Sequence, residues 1–295
     1  MAPAPISDPS PAALPAGYTQ AAILHAVLSS LIGEVDALKP GNVHRFAGGH
    51  GMHYEEFISS AEASVEPLCE PGARPGRRVL KAVEATHKAV GANTNLGILL
   101  LYAPILKACE TSVGPAALHE SLVQVLGALH KNDARDVFTA IRLAQPGGLG
   151  KSDRHDVNRP PDCTLLEAMQ EAQDRDRVAR QYVSGFTEIW TLGLPWFREF
   201  RGRWNSVEWA TVGCYLRFLA EYPDSHIQRK FGADVAQQVR RRSAEVLKRF
   251  EKKKEPGSAV SMLLEYDKEL KDTGINPGTS ADLTAASLLL YQLGV

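Results

Sequence analysis

The 295-residue chain reads as all-α, a single multi-helix bundle with buried central helices. Three observations predict this class. Apolar residues recur at helical spacing along most of the chain, strand-like alternation is scarce, and no two β-rich runs flank a tight turn. One segment, Leu96 to Leu106, is apolar on every side, the pattern of a helix enclosed by others.

Residues 1–17 are rich in Pro, Ala and Ser and lack the basic start and continuous apolar stretch of a secretory signal. They read as a disordered tail, and residues 18–295 as one helical domain. In the first helix, Ile23, Leu24, Val27, Leu28, Leu31, Ile32 and Val35 share a face. Thr19 caps that helix, and Pro40-Gly41 ends it. Further helices are expected near 54–68, 77–90, 115–129, 133–144, 206–221, 232–253 and 258–272, with loops at 70–77, 145–161 and 272–279. The capping box Thr164-Leu165-Leu166-Glu167 opens a long helix after Pro161. Its inward stripe runs through Met169, Ala172, Asp176, Ala179, Val183, Phe186 and Trp190. The last helix, Leu283–Leu293, follows Asn276-Pro277-Gly278-Thr279-Ser280 and Asp282.

A composition of 44% apolar and 23% charged residues is that of an ordinary globular protein, and the net charge of -1 gives no footprint for nucleic acid or an anionic membrane. The longest apolar run contains Gly97 and Pro104 and is too short to cross a bilayer. Cys69, Cys109, Cys163 and Cys214 lie far apart with no C-x-x-C pair, which argues against a thiolate zinc site and a disulfide framework. A cytoplasmic location is expected, with small-molecule substrates and room for a homo-oligomer.

Asn93-Thr94-Asn95 opens the buried Leu96 helix, and Asn276 to Ser280 opens the last one in the same way. Such polar clusters either cap free amides or place phosphate there, since the amides and the helix dipole both favour anions. Asp176 interrupts an apolar stripe, so it must be paired with an arginine of another helix, bind a metal, or line a polar cavity. Gly147-Gly148-Leu149-Gly150-Lys151-Ser152 is not a P-loop, because Gln145 stands where the first glycine belongs and a helix precedes it. Its glycines still leave backbone amides accessible to a ligand. His155-Asp156 can bind metal or move protons. His50 and His53 have a metal-compatible spacing but no acidic or thiol partner nearby, and a surface loop is expected there. Lys39-Pro40-Gly41-Asn42-Val43-His44 is either a helix stop with a dipole-matched lysine or a turn presenting Lys39, Asn42 and His44 to phosphate. Within Pro223–Gly232, Arg229 and Lys230 can neutralise a polyphosphate.

Taken in this order, these segments resemble the triphosphoribosyl-dephospho-CoA synthase family, especially its archaeal-type and methylotroph-type branch. The matching pieces are Lys39–Val43, Gly91–Leu100, Pro146–Gly150, His155–Val157, Arg175-Asp176 with Arg180–Tyr182, Pro223-Asp224 with Arg229-Lys230, and Asn276–Leu283. The resemblance implies an all-helical pentosyltransferase that takes ATP as donor, displaces adenine, and attaches the 5-triphosphoribosyl unit to a hydroxyl of dephospho-CoA. Cleaving an N-glycosidic bond builds positive charge on the sugar, which a carboxylate stabilises. The triphosphate calls for cations, helix amino ends and Mg²⁺. The roles implied are Asp176, His155 and Asp156 in catalysis, and Asp156, Asp176 and Asp282 at the metal. Lys39, Asn42, Asn93, Thr94, Asn95, Gly148, Arg229, Lys230, Asn276 and Thr279 would hold substrate phosphates. The sequence departs from better-known members at Asn95, where they tend to have His, and around Lys39–Asn42. Two alternatives stay open: phosphoribosyl transfer in the biosynthesis of a tetrahydromethanopterin-type cofactor, and a catalytically inactive nucleotide-binding or regulatory subunit.

Overall fold

The computed structural model describes residues 17–150 and 152–295. The Pro/Ala-rich segment expected to be a disordered tail lies, through residue 16, outside the described residues. Among the described residues there are fourteen α-helices and no strand. In chain order they are α1 (Gln20–Asp36), α2 (Tyr54–Leu68), α3 (Pro75–Val90), α4 (Leu96–Cys109), α5 (Leu118–Gly127), α6 (Lys131–Ala144) and α7 (Leu165–Ala172). The second half holds α8 (Arg177–Ser184), α9 (Leu194–Trp204), α10 (Val207–Glu221), α11 (Ser225–Phe231), α12 (Ala233–Glu251), α13 (Val260–Asp272) and α14 (Gly278–Gln292). None of these helices is long and apolar enough to cross a membrane. All four cysteines are free and buried.

Helices α4 and α14 form the centre. They pack on each other; α4 also touches α3, α5 and α8, and α14 touches α1, α8, α9, α10 and α11. Twelve of the fourteen α4 residues are buried, as expected for a helix without a polar face. Pro104 has no amide to donate, so it leaves the Leu100 carbonyl without its helical partner. The Tyr182 hydroxyl of α8 donates to that carbonyl at 2.7 Å and fills the gap. Tyr102 bridges three helices by donating to Ser30 Oγ of α1 (2.8 Å) and to the Ala285 carbonyl of α14 (3.0 Å).

Two expectations fail locally. The long helix after Pro161 is broken, because the chain leaves the helix after Ala172 and re-enters at Arg177 with Asp176 as N-cap. A second interruption at Gly185 (φ 65°) and Phe186 (φ 62°) leads into a π-helical turn, Ile189–Gly193, and then α9, a helix the sequence reading omits. The stripe from Met169 to Trp190 is therefore not one helical face. The remaining expected helices form, with ends shifted by a few residues.

Candidate active site

A cavity of about 260 Å³ opens between the amino ends of α4 and α14. One wall is apolar, built from Val137, Phe138 and Ile141 of α6 with Leu165 and Met169 of α7. Polar groups line it as well, with Asn42, His226, Arg229, Asn276 and Thr279, joined by Glu34 of α1 and Asp282 of α14. Most of the residues that the sequence reading singles out, spread over more than 240 positions, meet around this one space.

Close approach of the two central helices depends on Gly97. A methyl group there would overlap the Asp282 carboxylate, so only glycine lets α4 lie against it. Asp282 has no hydrogen-bond partner among the described residues, although it is largely enclosed. Burial drives its pKa well above the carboxylate range, and the charges of Glu34, Asp224 and Asp176 push in the same direction against the opposing pull of Arg229.

Glu34 is a site residue that the sequence reading misses. It continues the apolar face after Leu31, so the reasoning that singled out Asp176 applies to it equally. Its partner is Lys39, at 3.2 Å. Lys39 is fully buried, and its ammonium also donates to the carbonyls of Glu34 (2.5 Å) and Val43 (3.1 Å). This corrects the phosphate role for Lys39: with its donors consumed, it stands behind Glu34 and holds the turn. Burial pushes Glu34 up and Lys39 down, and their mutual attraction opposes both shifts. His44 is likewise buried, 3.3 Å from Asp267, and does not face the cavity.

The turn itself is assembled from distant parts. Asp267 accepts from the Gly41 amide at 2.8 Å, and the Tyr215 hydroxyl donates to the Pro40 carbonyl at 2.6 Å. Gly41 has φ 83°, and Leu270 and Pro277 crowd the space a side chain would need. Asn42 then donates to Asn276 Oδ1 at 2.9 Å, joining the turn to the start of α14. His50, expected in a surface loop, is half-buried, with Nε2 2.8 Å from the Gly41 carbonyl.

Asp176 is fixed by three contacts. Oδ1 accepts from the amides of Val178 (2.8 Å) and Ala179 (3.1 Å), and Oδ2 pairs with Arg229 Nη1 at 2.5 Å. The ion-pair reading is correct, and the pair lines the cavity. Lys230 points elsewhere: it is exposed, its ammonium 5.4 Å from the Phe231 ring, and it does not line the cavity. Gly148 is also outside the lining. At φ 75° it passes over Arg229, while Gly147, Leu149 and Gly150 reach the cavity.

Asn93 caps the Leu96 amide at 3.2 Å, as the capping reading supposes. Thr94 donates to Ser60 Oγ at 2.7 Å, and Asn95 lies 3.4 Å from both Ser64 and Thr86. All three still line the cavity. At α14, Thr279 Oγ1 lies 2.9 Å from Ser225 Oγ. Asp224 caps two helices at once: Oδ1 takes the His226 and Ile227 amides of α11, and Oδ2 takes the Ser280 amide of α14 at 2.7 Å.

His155 (φ 50°) also lines the cavity, and its Nδ1 lies 3.1 Å from Asp162 Oδ1, a partner the sequence reading misses. Neighbouring Asp156 serves its own loop, accepting from the amides of Asn158 (2.8 Å) and Ser152 (3.1 Å). These bonds hold its carboxyl below the usual range. Asp156, Asp176 and Asp282 thus border one space but do not converge into a three-carboxylate cluster. Among the described residues, the group with that closeness is His155, Asp162 and Cys163, within 4.8 Å of one another.

The charge balance of the lining is acidic, with Glu34, Asp156, Glu171, Asp176 and Asp282 set against Arg175 and Arg229. An acidic, partly apolar cavity bordered by two helix amino ends suits a ligand with an apolar ring and a polyanion accompanied by a divalent cation.

No curated protein matches the chain. Among solved structures, it is similar to a protein from Archaeoglobus fulgidus provisionally named triphosphoribosyl-dephospho-CoA synthase. The two share 25% identity, with a TM-score of 0.64, over 80% of this chain and 96% of the other. The CitG family model, ATP:dephospho-CoA triphosphoribosyl transferase, matches residues 20–295. The chain belongs to this transferase family.

Proposed function

We propose that the protein transfers the 5-triphosphoribosyl group of ATP to the hydroxyl of dephospho-CoA and releases adenine. The observation that carries this reading is the meeting of Glu34 and Asp282 with the α4 and α14 amino ends on one cavity that also has an apolar wall. The apolar side suits a purine, while Arg229, Asn276 and the start of α14 suit the phosphates. Glu34, with Lys39 behind it, is the carboxylate placed to stabilise positive charge as the bond from C1′ to N9 breaks. His155, oriented by Asp162, exchanges the proton that leaves the acceptor hydroxyl and ends on the purine.

The acidic excess fits Mg²⁺, which takes one or two carboxylates together with phosphate oxygens. Asp282 is the foremost candidate to hold it, because both Asp176 oxygens and those of Asp156 already have partners. Bound there, Mg²⁺ would supply charge neutralisation for the triphosphate. The family match favours neither the tetrahydromethanopterin alternative nor the inactive-subunit alternative.

The test is incubation of the purified protein with ATP, Mg²⁺ and dephospho-CoA, followed by chromatography and mass spectrometry. Adenine should appear in equal amount to an acceptor enlarged by the triphosphoribosyl group. No acceptor-dependent adenine release would refute the proposal.

A further inference from the structure

His226 lines the cavity, yet neither of its ring nitrogens meets a hydrogen-bond partner among the described residues. Its backbone is nevertheless tightly placed. The Asp224 carboxylate that receives the His226 amide at 2.9 Å also receives the Ser280 amide of α14, so the backbone at His226 is held against the start of that helix. A methyl added at Gly278 would lie 3.6 Å from both Cγ and Nδ1 of His226, and 3.9 Å from Asn276 Oδ1. Imidazole, carboxamide and the first turn of α14 therefore surround one small volume, which Arg229, one turn further along α11, also borders. All of these groups are of the kind that meets phosphate oxygens.

We infer that His226 is a phosphate-binding residue of the donor site and that it takes up a proton as the triphosphate binds. The inference rests on the reading of ATP as donor. Burial lowers the pKa of the ring and so favours its neutral form; Arg229, Lys230 and His50 add to this, with Asp224 opposing. The other charged groups lining the cavity are Glu34, Asp156, Glu171, Arg175, Asp176 and Asp282, and Asp176 is already paired with Arg229. A phosphate beside the ring reverses the balance, because a dianion at hydrogen-bond distance favours the imidazolium. A neutral histidine avoids placing an uncompensated cation there in the free enzyme, while the charged form strengthens the bound one.

The measurement is calorimetric titration of ATP with Mg²⁺ into the wild-type protein and His226→Gln, in two buffers of different ionisation enthalpy, without acceptor. The wild type should take up about one proton more per ATP than the variant. Its affinity should rise as pH falls from about 8 to 6.5, whereas the variant should bind about tenfold more weakly with a flatter pH dependence. Adenosine should bind both equally. Imidazole nitrogen spectra of the wild type keep the test independent of how the variant folds, and the His226 ring should change from neutral to charged on addition of ATP. A ring that stays neutral with ATP bound, or equal proton uptake by the two proteins, overturns the inference and leaves the donor reading intact. Failure of ATP to bind at all overturns both.

Discussion

Replacing Asp282 by Asn should stabilise the ligand-free protein and abolish transfer. The wild-type carboxylate faces a largely enclosed space without a hydrogen-bond partner among the described residues, close to other acids. Its pKa in the folded chain is therefore well above its ordinary 3.8. Between the ordinary and the raised value, the native state binds more protons than the unfolded chain, so stability falls as pH climbs through that window. Burial penalises the ionised form of Asp282, which meets no hydrogen-bond partner among the described residues. An amide of the same shape removes this penalty. Leaving a buried polar group unsatisfied costs about 1–3 kcal/mol, and that is the gain expected from the amide. At roughly 2 °C per kcal/mol for a chain of this size, Tm should rise by about 2–6 °C. Scanning fluorimetry of the ligand-free protein in chelator, from pH 5.5 to 8.5, provides the check. The wild-type Tm should decline with pH more steeply than that of the variant, and Mg²⁺ with ATP should stabilise only the wild type. A variant that melts below the wild type at pH 8 would show that Asp282 is satisfied by partners already present, and the reasoning would fail.

Gly97→Ala should lose donor binding and about 1–3 kcal/mol of stability, because the new methyl must displace the Asp282 carboxylate or push α4 from α14. Denaturant melts and ATP titration read the two effects, and an alanine variant with unchanged affinity would refute the close-packing account. Tyr182→Phe should cost about 1–2 kcal/mol by leaving the Leu100 carbonyl without a donor. Urea unfolding tests this, and an unchanged midpoint would mean that the carbonyl finds another partner.

The helices were legible because burial on one face leaves a periodic trace, and the enclosure of α4 and α14 was legible because a helix apolar all round has nowhere else to sit. What periodicity could not show was where regularity stops. The segment from Met169 to Trp190 keeps an apolar period through two breaks, since Asp176 is as good an N-cap as it is a stripe residue. Glu34 was visible on the same logic as Asp176 but lay in a helix whose amphipathic pattern already looked complete. Asp162 carried no signal, because its relation to His155 depends on a loop conformation with His155 at positive φ.

Lys39 and Lys230 show why charge type alone misassigns a phosphate site. Each stands in a motif with a neighbour that does reach the cavity, Asn42 in one case and Arg229 in the other. For Lys39 the outcome is decided by elements far away in sequence. Asp267 and Tyr215 draw the Pro40-Gly41 turn inward, and a lysine carried into the core must find oxygens there; Glu34 and nearby carbonyls supply them. For Lys230 it is the direction of the side chain, which is exposed and runs along the Phe231 ring while Arg229 turns inward to Asp176. The cavity is thereby left with few cations and several acids, which makes a bare polyphosphate an unfavourable guest. On the proposed reading, positive charge is supplied by a divalent ion beside Asp282 and by a proton taken up at His226.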